Sequence, residues 1–299
     1  MPRPIDIEDD SSCEIGDCVE ALTATGFDVR DEASLTHAAA WLRRLGNNRQ
    51  FLGDLLIETL AGDRAEIGEA SSYSPQAIVL SPPEAGCFLR ANVWPAPQDY
   101  CFRASGAHNF VYGTPHDHNF DFLTVGYFGP GYRSDYFEYD YEAVAGWTGE
   151  PAHLRFVERS ALSEGRLMHY RAHRDVHSQI PPESMSVSLN ILASDFAQGW
   201  FDQYGFDPEN GRVSGVLNSS STEAFLRLAV GLGGAEAFDL AECFGRSHPS
   251  ERLRLASFEA RASIAASAQE RDELWRNAEL SGSRLLAMEA KARRRALAA

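Results

Sequence analysis

The spacing of hydrophobic positions changes twice along the chain. From Ser34 onward, Leu35, Ala38, Trp41, Leu42 and Leu45, then Phe51, Leu52, Leu55, Leu56 and Leu60, recur every three or four residues, the interval that lines one face of a helix. Two short amphipathic helices are expected there, with their turn at Gly46-Asn47-Asn48. Between about Gln76 and Asp195 the period shortens, in segments 77–80, 87–94, 110–112, 122–128, 136–139, 153–157, 166–170 and 185–192. These predict strands, and the Pro, Gly, Asn and Asp residues between them predict an antiparallel sandwich or barrel. After a hairpin expected near 206–211, Ala, Leu, Arg and Glu dominate from Thr222. A helix start is expected at Ser247-His248-Pro249-Ser250-Glu251 and an interruption at Ser281-Gly282-Ser283.

This pattern divides the chain into four parts: an acidic, loosely ordered arm over 1–32, an N-terminal helical segment over 33–75, a β domain over 76–218 and a C-terminal helical segment over 219–299. The arm holds Asp6, Glu8, Asp9, Asp10, Glu14, Asp17 and Glu20 and few large apolar groups, so little burial offsets its ordering. The fold class is mainly β with helical ends.

At 299 residues and 44% hydrophobic composition the chain can bury a core, so collagen-like and wholly disordered readings are excluded. Twenty-seven basic against 43 acidic residues leave a formal charge of −16, which repels phosphate backbones and anionic lipid, so neither nucleic acid nor membrane is an expected partner. The first ten residues lack a basic region followed by an apolar stretch, and a cytoplasmic location is expected. The five cysteines, Cys13, Cys18, Cys87, Cys101 and Cys243, are scattered and never spaced as C-x-x-C, which favours reduced thiols over a disulfide framework or a zinc knuckle.

Candidate chemistry concentrates in the histidines. His116 and His118 flank Asp117, and residues two apart on a strand project from the same face, so their imidazoles can address one ion. A third ligand must come from a distant strand. His177 fits, in the alternating run Asp175-Val176-His177-Ser178-Gln179-Ile180; His173 is the competitor.

His116-Asp117-His118, the turn Leu162-Ser163-Glu164-Gly165-Arg166 and His177 twelve positions after Gly165 resemble the cupin superfamily, in which a metal sits inside a small antiparallel barrel. The usual cupin Glu, four or five residues after the second His, is replaced by Phe122 and Leu123. The pattern is therefore similar to the three-histidine branch, which includes the cysteine dioxygenase-like thiol dioxygenases. That resemblance spans roughly residues 80–195. It implies a cupin-like antiparallel β-barrel or jelly roll flanked by N- and C-terminal helices, with metal ligands His116, His118 and His177. It also implies a supporting pair at Ser188 and Asn190, Asn190 standing where the family has His, and a substrate-carboxylate clamp at Arg90, with Arg103 as rival. The family's Cys–Tyr crosslink has no counterpart, because Leu123 and Leu192 occupy those positions.

Imidazole ligands suit Fe(II), Zn(II), Ni(II) and Cu(II), and the resemblance favours Fe(II). Three neutral ligands leave positions for substrate and dioxygen and keep the ion at +2, which attracts an anionic donor. A mononuclear non-haem iron oxygenase is thus expected, using O2 to oxidise a small or peptide-borne anion, a thiol first. Among Tyr112, Tyr127, Tyr132, Tyr136 and Tyr139, Tyr127 is taken as the hydroxyl that orients dioxygen. Two alternatives stand beside it. One is a non-catalytic metal- or ligand-binding cupin whose helical ends meet a partner or form a homodimer. The other is a 2-oxoglutarate-dependent oxygenase using His173, Asp175 and His248.

Overall fold

The computed structural model describes residues 2–61 and 76–298. The tail of the expected N-terminal helical segment, 62–75, lies outside the described residues. In chain order the elements are β1 (Arg3–Pro4), α1 (Ile15–Thr25), α2 (Glu32–Asn47), α3 (Phe51–Ala61), β2 (Ala77–Val79), β3 (Cys87–Trp94), α4 (Tyr100–Ser105), β4 (Phe122–Phe128), β5 (Arg133–Glu138), β6 (Arg155–Ala161), β7 (Leu167–Tyr170), β8 (Asp175–Ile180), β9 (Ser186–Ala193), β10 (Tyr204–Asp207), β11 (Arg212–Val216), α5 (Ser221–Leu232), α6 (Ala235–Ser247), α7 (Glu251–Ser263), α8 (Ala268–Glu279) and α9 (Arg284–Ala298). The chain forms two compact units, divided at 141/142, 152/153 and 198/199.

The first unit holds two antiparallel sheets, one of six strands in the order β1-β7-β4-β9-β3-β2 and one of three in the order β6-β5-β8. A sandwich or a barrel was expected; the described strands of this unit form two antiparallel sheets, as a sandwich does, and no closed barrel. The mainly-β expectation is corrected as well, since helical residues outnumber strand residues among those described.

Both faces of the large sheet are buried, and alternation sorts its side chains. Leu89 and Ala91 of β3, Leu123, Val125 and Tyr127 of β4, Leu167 of β7, and Leu189 and Ile191 of β9 pack against Cys18 and Leu22 of α1, Leu35, Leu42 and Leu45 of α2, and Phe51 and Leu52 of α3. The opposite face joins Trp94, Phe122, Met168, Tyr170 and Leu192 to Tyr136 of the small sheet. The two sheets therefore face each other across an aromatic interior.

Helix α2 starts where Asp31 accepts hydrogen bonds from the Ala33 and Ser34 amides, a cap that contributes about 0.5–2 kcal/mol. It comes close to the sheet because Gly46 faces Val125, whose Cγ1 would lie 3.3 Å from any added Cβ. The turn into α3 is made by Asn48, whose Oδ1 accepts from the Gln50 and Phe51 amides. Residues 1–32, expected as a loose or docked arm, contain α1, and its buried Cys18 and Leu22 hold it on the core. The strand expected at 110–112 is a short 3-10 turn over Ala107–Phe110, followed by Val111 at φ 60°, which sends Phe110 and Tyr112 inward.

In the second unit the β10–β11 hairpin closes through Asp207, which accepts from the Glu209 and Asn210 amides. Helix α7 begins at Ser250 as cap, and α8 and α9 are separated at Ser281-Gly282-Ser283. No helix among the described residues is long and apolar enough to cross a membrane.

Candidate metal centre

His116 is preceded by Pro115 and pairs with His177 of β8 at an isolated bridge. There the His116 amide donates to the His177 carbonyl at 3.0 Å and the His177 amide returns a bond to the His116 carbonyl at 2.9 Å. That reciprocal pair sets the two imidazoles side by side, with ring centroids 4.6 Å apart and Nε2 atoms 3.2 Å apart. His118 closes the triangle at 4.9 Å from the His116 ring and 5.0 Å from the His177 ring. One ligand atom from each of the three falls within 4.8 Å of the others. Asp117, between them, turns away and is buried, with its carboxylate taking the Tyr139 hydroxyl.

The environment keeps these rings neutral. Burial pushes the His116 pKa below its ordinary value. It pushes those of His118 and His177 well below, assisted at His118 by the other two rings and by the Arg90 guanidinium, and at His177 by His116. His116 Nδ1 lies 2.7 Å from the Thr114 carbonyl and so carries the proton, which turns the Nε2 lone pair toward His177. Two buried nitrogens face each other at 3.2 Å while Nδ1 of His118 and Nδ1 of His177 find no partner. Such a set is poorly satisfied by itself. Ligands about 2.1 Å from one ion are separated by roughly 3.0 Å in octahedral and 3.4 Å in tetrahedral geometry, so the 3.2 Å between His116 Nε2 and His177 Nε2 suits two ligands of one cation.

Around the triad stand Phe120 and Phe122, with ring centroids 5.2 and 4.8 Å from that of His118, and Tyr170, whose ring lies 5.0 Å from that of His177 and stacks on Phe122 at 4.4 Å. The Tyr170 hydroxyl is 3.0 Å from that of Tyr136 and also bonds to Tyr132; burial raises the pKa of all three, so they are protonated. Gln179 places its side-chain nitrogen 3.1 Å from His177 Nε2. Gln179 and Tyr170 are not among the site residues expected from the sequence. The same alternation carried the signal, since Gln179 is two residues past His177 and Tyr170 two past Met168.

The other expected residues divide by face. Arg90 alternates with Leu89 and Ala91 and shares the inward face with Trp94, where its charge acts on His118 and Tyr132. Asn190 pairs with Arg90 in register and donates to its carbonyl at 3.2 Å; Ser188 accepts from the Trp94 indole at 3.0 Å. Tyr127 is a correction. It sits with Leu123 and Val125 on the helix-covered face, packs on Phe51, and gives its hydroxyl to the Asn48 carbonyl at 2.9 Å, so it does not face the imidazoles. Arg103 is corrected too, since α4 leaves it exposed.

His173 stands outside the triad with its ring on Tyr141 at 4.1 Å, and burial lowers its pKa to about 4. The alternative set was His173, Asp175 and His248, and Asp175 is engaged by a guanidinium of its own unit. Arg171 engages both oxygens of the Asp175 carboxylate, at 3.0 and 2.6 Å, and His248, which follows α6 in the second unit, packs on Phe244.

No family model and no curated protein matches the sequence. Among solved structures, one from the DMSP lyases RdDddP and RnDddQII aligns over 69% of this chain and 84% of that chain, with 11% sequence identity and a TM-score of 0.27. Overlap that loose transfers neither fold nor chemistry.

Proposed function

We propose that His116, His118 and His177 hold a divalent first-row metal, Fe(II) first, in an enzyme that oxidises a small or peptide-borne anion with dioxygen, a thiol being the leading substrate class. The observation that carries this reading is the convergence of three neutral imidazoles, His116 and His177 buried and His118 half-buried, beside an inward-facing arginine. A bound ion of this kind supplies Lewis acidity and, for iron, redox chemistry. The residues of the chain do the rest. Arg90 pairs with the substrate carboxylate, Phe122 and Tyr170 exclude water, and the hydroxyls of Tyr132, Tyr136 and Tyr170 hold protons next to the reacting region.

Metal analysis of the purified protein, followed by oxygen uptake with thiols, diketones and 2-oxoglutarate, tests the proposal. Oxygen consumed with a thiol and no added reductant supports it. Metal retained without turnover of any substrate would leave a ligand-binding cupin.

A second reading is favoured by the tyrosine trio. Three protonated hydroxyls beside a cation site also fit metal-assisted proton transfer, as in an elimination or isomerisation. Turnover that proceeds equally well without oxygen would select it.

A further inference from the structure

We infer that Gln179 is a fourth ligand of the cation, through its side-chain carbonyl oxygen, so that the centre is a three-histidine, one-glutamine set. The inference rests on the reading of His116, His118 and His177 as a metal site and extends it.

Four observations support it. Gln179 is two residues from His177 on β8, so both side chains leave the strand on the same inward face, as His116 and His118 do from their own segment. It is 4% exposed, deep enough that an unused polar atom is costly. Its terminal nitrogen lies 3.1 Å from His177 Nε2, and His116 Nε2 lies 3.2 Å from the same atom, so the carboxamide already stands at the spacing of donors that share one ion. Its Oε1 is buried with no hydrogen-bond partner, although a carboxamide oxygen is a strong acceptor.

The decisive step is one of valence. His177 Nε2 has a single lone pair. Once that pair is given to a cation it cannot accept the Gln179 N–H, and a donor left pointing at a metal-bound nitrogen is repelled. A half-turn about the last side-chain bond exchanges nitrogen for oxygen without moving any other atom, since the two ends of a carboxamide have nearly the same shape. The oxygen then occupies the donor position and the NH2 group leaves it. A neutral oxygen ligand would preserve the full charge of the ion, and the substrate carboxylate would be left for Arg90.

The test uses Co(II) as the probe, titrated into metal-free full-length protein and read by its visible ligand-field absorption, with Zn(II) competition for affinity. Gln179→Ala is expected to weaken binding about 10- to 100-fold and to change the intensity and position of the Co(II) bands. Gln179→Glu is expected to restore the bands and bind more tightly than the wild type, because a carboxylate supplies the same oxygen with a charge. Thermal unfolding of the metal-free variants controls for folding. Wild-type affinity and an unchanged spectrum in Gln179→Ala, while His116→Ala loses the ion, would overturn the fourth ligand and leave the three-histidine site standing. Failure of the wild type to take up Co(II) or Zn(II) overturns both.

Discussion

Tyr127 and Tyr170 show what a single residue's alternation decides. Both are strand tyrosines in hydrophobic runs, yet Tyr127 reaches the Asn48 carbonyl under the helices and Tyr170 meets the His177 ring. Tyr127→Phe is expected to cost about 1 kcal/mol of stability, one hydrogen bond, and to leave metal content unchanged, as urea unfolding and metal analysis would record. His116, His118 and His177 should each be indispensable, with alanine at any of them lowering affinity by at least about 100-fold, whereas His173→Ala should retain the ion. Arg90→Met is expected to raise KM for a carboxylate substrate roughly 10- to 150-fold, the worth of a charged hydrogen bond at about 1.5–3 kcal/mol, with kcat less affected. The grouping of the three histidines was legible because a period of two puts H-x-H on one side and His177 in a second alternating run. Gln179 was equally placed but chemically quiet, and in sequence an amide beside a histidine reads as an ordinary polar strand residue.

At the scale of elements, β4 explains why faces were harder to read than strands. Its residues Phe122, Leu123, Thr124, Val125 and Tyr127 are buried on both sides, so the run carries no polar face to show which side meets the helices. The segment was legible as a strand; its orientation was not. Leu123 is wholly buried among α2 and its neighbours, and Leu123→Ala should destabilise the first unit by about 2–5 kcal/mol, seen as a lower urea midpoint. Gly126 marks another constraint, since an added Cβ would lie 2.1 Å from the Ser163 carbonyl oxygen. Helix α1 escaped prediction because its acidic residues lie on the solvent side, while two small spaced contacts, Cys18 and Leu22, hold it down.

For the whole molecule, acidity should matter more than the charge of −16 alone implies. The unfolded chain's histidines protonate near 6.5, while His116, His118 and His177 are held below that when folded, so the unfolded state binds more protons in this window. Stability from these rings is fully present above pH 6.5 and is lost as pH falls, by up to about 1.4 kcal/mol per pH unit for each histidine. Urea midpoints of metal-free protein at pH 5 and pH 8 would show it, and an ion at one hundred times its dissociation constant should add about 2.7 kcal/mol at either pH if its affinity is matched there. The paired backbone bonds between residues 116 and 177 carry one more implication. Because paired main-chain bonds set these two rings side by side, the metal-free polypeptide is expected to hold them in register and to take up the ion afterwards. Reconstitution should then be fast, with little change in circular dichroism and a heat-capacity change far smaller than that of coupled folding.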